Sequence, residues 1–239
     1  MSGHNKWTQI KRQKGANDAK RSQIFAKISK VITLAAKNGG DPDANPALKI
    51  AIDKAKAVNM PSDNIQKAIK KGTGELAGES VEEVLYEAYG PEGVALIIEA
   101  TTDNNNRTVS EVKHILSKNG GRLGESGSVK WMFDHLGYVE IPRDADSDPE
   151  KIELSAIEAG AQDVEVQEDA VIAYVGPEDI YHIKNEMEKE GFHISESGFE
   201  WKAKSKIKAD ANLSEKIETL FDLLDEQEDV TEVYSNLEN

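Results

Sequence analysis

Apolar positions recur at two different periods along the chain, and the change of period divides it. From Arg21 to Lys37 the apolar residues Ile24, Phe25, Ile28, Val31, Ile32 and Ala35 fall at helical spacing, so this stretch predicts an amphipathic helix ended by Asn38-Gly39-Gly40. Asn45-Pro46 supplies a capping side chain and a proline suited to a first helical position. Leu48, Ile52, Ala55 and Val58 then form the buried stripe of a second helix. Pro61-Ser62 opens a third, with Ile65, Ala68 and Ile69 inward and Gly72 as its stop. After the linker Thr73–Glu79 the period turns strand-like. Val84–Tyr89 and Val94–Ala100 read as strands joined by Gly90-Pro91-Glu92-Gly93. Asn106–Lys118 reads as a helix and Val129–Phe133 as a further strand.

A compact series follows. Leu136–Ile141 predicts a strand, Asp148-Pro149 a cap for a helix to Ala159, and Asp163–Val166 and Val171–Val175 two strands. Pro177 opens a helix to Glu190, and Phe192–Phe199 closes the series as a strand. The order β-α-β-β-α-β is the ferredoxin-like arrangement. Leu213, Ile217, Leu220, Phe221 and Leu224 mark a last helix, and Val230–Tyr234 a last strand. The expected fold class is α+β in three domains. Residues 1–74 form a basic arm plus a three-helix domain, and residues 79–133 with 206–239 a discontinuous α+β middle domain. Residues 135–205 form an inserted ferredoxin-like α+β domain.

Charge sharpens this division. Residues 1–71 hold 15 Lys and Arg against 5 Asp and Glu, a net of +10, while the whole 239-residue chain is −15, leaving −25 for the remainder. One end suits a polyanion and the rest repels one. Within the arm and first helix lie Lys6, Lys11, Arg12, Lys14, Lys20, Arg21, Lys27 and Lys30, with Asp18 as the single acid. Phosphate neutralisation and counterion release supply much of the free energy of nucleic-acid binding. An extended, glycine-containing arm can follow a phosphate backbone, and Trp7 offers a face on which a base can stack. His4 is a further candidate contact. A functionless solvated tail, or docking of the arm onto the acidic body, are the competing explanations.

Other segments carry weaker signals. Asn59-Met60-Pro61 joins two helices at a helix-turn-helix length, but the third helix offers Asn64, Lys67, Lys70 and Lys71 and no arginine. A phosphate-positioning surface fits it better than a reader of base edges. In Thr101–Thr108, helix capping is the favoured role, with Asn104, Asn106 and Arg107 as secondary phosphate contacts in the functional alternative. Asn119–Ser128 fails both the phosphate-loop and the nucleophile-elbow patterns. The chain has no cysteine, and its five histidines form no metalloprotease pair or catalytic set, so no metal, cofactor or enzymatic activity is expected. The acids of Asp225–Asp229 read as solvated surface, with docking of a basic partner as the alternative. The longest strongly apolar run, Val94–Ile98, is too short to span a bilayer, and the N-terminus lacks a secretory signal, which together predict a cytoplasmic protein with no membrane partner. A monomer is the default expectation for its oligomeric state.

Specific motifs then bring in a family. They begin with Gly3-His4-Asn5-Lys6-Trp7 and Asp18-Ala19-Lys20-Arg21, and continue through Gly39-Gly40-Asp41-Pro42, Asn59-Met60-Pro61 and Ala68-Ile69-Lys70-Lys71-Gly72. Tyr86-Glu87-Ala88-Tyr89-Gly90-Pro91, Thr102-Asp103-Asn104, Asn106-Arg107-Thr108 and Gly127-Ser128-Val129 with Trp131 and Phe133 complete the set. In these the chain closely resembles the YebC/PmpR family, which includes the mitochondrial translational activator of cytochrome c oxidase subunit I. Ala88 stands where a glycine is usual, and His135-Leu136 where a lysine often precedes Gly137. The resemblance implies three domains around a cleft and a non-enzymatic role in gene expression. It leaves two expectations open: a DNA-binding transcriptional regulator, or a ribosome-associated factor acting on ribosomal or messenger RNA. A protein-interaction adaptor using the acidic domains and a small-molecule sensor are the hypotheses from other classes.

Overall fold

The computed structural model describes residues 18–78, 80–144 and 147–238. It is an α+β protein with an N-terminal three-helix region and two four-stranded antiparallel sheets carrying helices. The chain divides into two compact units, one of Met132–Ser205 and one of the helical region, the first sheet and the C-terminal elements.

In the larger unit, α1 (Asp18–Ala36), α2 (Pro46–Ala57) and α3 (Ser62–Gly72) enclose a small apolar core that includes Ile28, Ile32, Leu48, Ile52, Ile65 and Ile69. Asn45 organises the α1–α2 connection. Its Oδ1 accepts the Leu48 N–H at 3.2 Å, and its Nδ2 donates to the Ala35 and Gly39 carbonyls, both at 2.8 Å. One side chain thus caps the second helix and satisfies carbonyls at the end of the first. Thr33 bridges α1 and α3, donating from Oγ1 to the Ala68 carbonyl at 3.2 Å. At the end of α3 the two helices come so close that a Cβ on Gly72 would lie 2.3 Å from the Thr33 carbonyl oxygen.

The first sheet has β1 (Glu82–Tyr89), β2 (Ala95–Thr102), β3 (Arg122–Leu123) and β9 (Val230–Ser235), in the order β3-β1-β2-β9. The turn between β1 and β2 is a 3-10 segment, Pro91–Gly93, with Glu92 and Gly93 at positive φ. Helices α4 (Asn105–Lys118) and α7 (Ala211–Glu226) bury Val112, Leu116, Ile217 and Leu220 against Leu96 and Ile98 of β2. Helix α1 packs against β2 as well. A short parallel pair, β8 (Ile207–Lys208) and β10 (Leu237–Glu238), was not foreseen from the sequence. Two residues per strand leave no measurable alternation.

The Met132–Ser205 unit contains β4 (Phe133–Pro142), α5 (Pro149–Glu158), β5 (Asp163–Val166), β6 (Ala170–Val175), α6 (Ile180–Lys189) and β7 (Glu196–Ala203). Its sheet order is β5-β6-β4-β7, antiparallel throughout. Strands β4 and β5, joined by α5, flank β6, while β6 and β7, joined by α6, flank β4. Helix α5 packs on β5 and β6, and α6 on β4 and β7.

Three boundaries differ from expectation, each for a reason visible in the hydrogen bonds. Val129–Phe133 is not a strand: Lys130–Met132 form a 3-10 turn, and Phe133 begins β4. The N–H groups of Gly127, Val129 and Lys130 all donate to the Glu87 carboxylate, at 2.5, 2.6 and 2.6 Å, so they are withdrawn from any ladder. Strand β7 starts at Glu196 rather than Phe192, because the Phe192 N–H donates to the Met187 carbonyl at the end of α6. Pro177–Asp179 form a turn before α6, with the Asp179 N–H on the Gly176 carbonyl.

Candidate nucleic-acid interface

The candidate contacts His4, Lys6, Trp7, Lys11, Arg12 and Lys14 lie outside the described residues. Lys20 and Arg21 sit on the first turns of α1 and are exposed, with the Arg21 guanidinium 5.9 Å from the centre of the Phe25 ring.

The next two cations of α1 point the other way. Lys27 is only 4% exposed, and its ammonium donates to the Asp225 carbonyl and lies 3.4 Å from the Asp225 carboxylate. Burial pushes the Lys27 ammonium below its ordinary pKa, and Asp225 opposes that shift without cancelling it. Lys30, one turn on, bonds Asp229 Oδ1 at 2.5 Å and the Glu228 carbonyl at 3.3 Å. Lys54 of α2 pairs with Glu232 at 3.3 Å, and Lys37 donates to the Val81 carbonyl at 2.6 Å. Four lysines of the helical region therefore hold it to the end of α7, the turn before β9, β9 itself and the residue that precedes β1. As placed, Lys27 meets a phosphate only by leaving its partners, and the Lys30 ammonium is already engaged by Asp229 and Glu228.

Asp229 is the centre of that contact. Its side chain is fully buried, and it accepts from Lys30, from the Thr108 hydroxyl at 2.6 Å, from Arg107 at 2.9 Å and from the Thr102 hydroxyl at 3.2 Å. Burial by itself would raise this carboxyl, but the bonds from Lys30, Thr108 and Arg107 outweigh it and hold Asp229 well below the usual carboxylate range. The expectation that Asp225–Asp229 is solvated surface holds for the exposed Glu226 and Glu228 and is corrected at Asp229. Asp229 is an interior anchor, because four donors from α1, β2 and α4 converge on it. Nothing in the sequence separates it from the acids beside it.

The same convergence decides the segment before α4. Arg107 bridges Asp103 at 2.7 Å and Asp229, which raises its already high pKa further. Asn104 caps α4 by accepting the Arg107 N–H at 3.2 Å. Asn106 is exposed. Capping, the favoured sequence expectation, is what Asn104 does in the fold.

On α3, Lys67, Lys70 and Lys71 are exposed, and none forms an ion pair among the described residues. Elsewhere, Trp131 is 68% exposed, its indole N–H donating to the Ser128 carbonyl at 3.1 Å. This exposed aromatic was read from the sequence as a strand residue. Among the described residues no group of three or more His, Asp and Glu side chains can hold a metal ion, and no helix is long and apolar enough to cross a membrane.

Residues 5–75 match the family model for the TACO1/YebC protein N-terminal domain, and residues 81–237 match that for the TACO1/YebC second and third domain. The chain belongs to the TACO1/YebC family. Among TACO1/YebC relatives, a "Probable transcriptional regulatory protein" of Fervidobacterium nodosum is 50% identical over all 239 residues, covering 94% of that protein. One of the same name from Kosmotoga olearia is 48% identical with the same coverage. The crystal structure of a conserved hypothetical protein from Aquifex aeolicus matches with a TM-score of 0.84 and 44% identity, over 92% of this chain and 91% of that one. The first of these family models spans α1, α2 and α3 together with the sequence from Asn5 that precedes them.

Proposed function

We propose that this chain is a non-enzymatic, cytoplasmic nucleic-acid-binding regulator of gene expression that acts on transcription through DNA. The observation that carries it is the sorting of cations in the helical region. Lys27, Lys30, Lys37 and Lys54 are bonded to partners outside the three helices, while Lys20, Arg21, Lys67, Lys70 and Lys71 are exposed without such bonds, and the sequence before α1 adds Lys6, Lys11, Arg12 and Lys14. The inward set orients the domain, and the outward set and arm provide phosphate contacts, with Trp7 and His4 as arm contacts to bases. The relatives' name supports transcription as the process. We read Met132–Ser205 as an inserted ferredoxin-like domain, supported by its interleaved strand order. Its acidic composition, with that of the first-sheet domain, limits non-specific adhesion of the body to nucleic acid.

If six arm residues each neutralise one phosphate, log K against log[salt] on duplex DNA has a slope of roughly −5. Changing Lys11, Arg12 and Lys14 together to Glu abolishes binding while leaving the melting temperature unchanged. A flat salt response, or full affinity in the triple variant, refutes the account. The alternative target is ribosomal or messenger RNA. It is favoured by α3, which presents lysines and Asn64 but no arginine for base edges. Crosslinking in cells followed by sequencing of bound nucleic acid decides: discrete promoters support transcription, and one ribosomal RNA site supports translation.

A further inference from the structure

Helices α1 and α3 run side by side with matching stripes facing a common groove of about 390 Å³. Ala26, Ser29, Lys30 and Thr33 come from α1, and Asn64, Lys67, Ala68 and Lys71 from α3. Each stripe follows the i, i+3, i+4, i+7 rule for one helix face. The alanines leave the space between the helices unfilled, and the polar residues surround it. Lys30 forms part of the wall with its ammonium fixed by Asp229. Thr33 is fixed by its bonds to the Ser29 and Ala68 carbonyls, at 2.7 and 3.2 Å. Among the described residues, Ser29 Oγ, the Asn64 side chain and the ammonium groups of Lys67 and Lys71 find no acceptor. Asp103 is the one acid in the lining, and Arg107 holds it at 2.7 Å.

We infer that this groove is an anion site that grips a backbone phosphate of the nucleic acid, with Lys67 and Lys71 as the charge, and Ser29 and Asn64 as neutral donors. Convergent hydroxyl, amide and ammonium donors around one opening suit a tetrahedral oxyanion, for which lysine serves as a point charge. The inference deepens the nucleic-acid proposal and rests on it for the identity of the ligand, but it is more selective. It separates Lys67 and Lys71, which line the groove, from Lys70 on the same helix, which does not.

Two measurements on the full chain test it. In the first, inorganic pyrophosphate is titrated into isotope-labelled protein. Amide shifts should cluster at Ser29, Asn64 and Lys67, and disappear in Lys67→Gln/Lys71→Gln. Shifts spread evenly over all exposed lysines, Lys70 included, overturn the groove whether or not nucleic acid binds. The second measures affinity for a labelled duplex against salt. The double variant should lose about 1.8 from the magnitude of the log–log slope, about 0.9 for each phosphate contact. Lys70→Gln should leave the slope unchanged, and equal losses for Lys70→Gln and Lys67→Gln overturn the proposal. Ala26→Phe fills the groove from its exposed lip without altering charge, and should weaken binding at least tenfold at an unchanged melting temperature. A loss in the groove variants with none in the arm variant removes the arm from the proposed function and leaves the groove standing.

Discussion

Replacing Asp229 with Ala tests whether one buried carboxylate holds the helical region to the first sheet. Asp229 is fully buried and receives two charged and two hydroxyl donors. Removing one member of such a buried charged set costs about 3–5 kcal/mol when its partners are left stranded. Here they are partly rescued. Lys30 is 23% and Arg107 42% exposed, so water reaches both. Lys30 also keeps the Glu228 carbonyl, Arg107 keeps Asp103, and Thr108 keeps the Thr102 hydroxyl and the Asn104 carbonyl. The expected loss is therefore at the lower bound, about 3 kcal/mol, which for a chain of this size lowers the melting temperature by about 6–12 °C. Circular dichroism melts of wild type, Asp229→Ala, Lys30→Ala and the double variant measure both the loss and the coupling, expected at about 1–3 kcal/mol. The pH dependence has a fixed sign. The folded carboxyl is depressed, so its stabilisation is complete above the unfolded pKa of about 3.9 and fades as pH falls towards the folded value. The wild-type advantage should be constant above about pH 5 and shrink below about pH 4. A loss under about 1 kcal/mol, or an advantage that persists undiminished in acid, refutes the assignment of Asp229 as the anchor.

Two further substitutions probe the helical region itself. Gly72→Ala places a methyl 2.3 Å from the Thr33 carbonyl oxygen and 2.6 Å from the Ala36 Cβ, so α3 must shift away from α1 at a cost of about 1–3 kcal/mol. An unchanged denaturation midpoint would show that the helices are not in contact there. Asn45→Ala removes the cap of α2 together with two bonds to the end of α1, an expected loss of about 2–3 kcal/mol by chemical denaturation. Asn45→Asp should recover only the cap, because its carboxylate accepts the Leu48 N–H but cannot donate to the two carbonyls.

The elements that sequence alone determined are those whose cause is local. Helical spacing from Ile24 to Ala35, the Asn45-Pro46 cap and the order of elements from Leu136 onward depend on residues within a turn or two of one another, and α1, α2, β4, α5, β5 and β6 are found where these signals point. The charge split also follows from composition, because a net charge is a sum over a segment and needs no contacts. What the tertiary structure decided is the destination of each charge. Lys27 and Lys30 carry the same sequence signal as Lys20 and Arg21, yet the helix turns the first pair towards acids about two hundred positions away and leaves the second pair exposed. Glu87 illustrates the same rule in the sheet. Its carboxyl lies buried on β1, and burial would raise its pKa, but the N–H groups of Gly127, Lys130 and Val129 outweigh that and keep it low. Those bonds turn an expected strand into a turn, and no local pattern encodes them. Periodicity records which face of an element is buried. Only the packing of distant elements fixes whether a lysine on that face meets a carboxylate, a groove or solvent, and that decides which cations remain for the nucleic-acid contacts we propose.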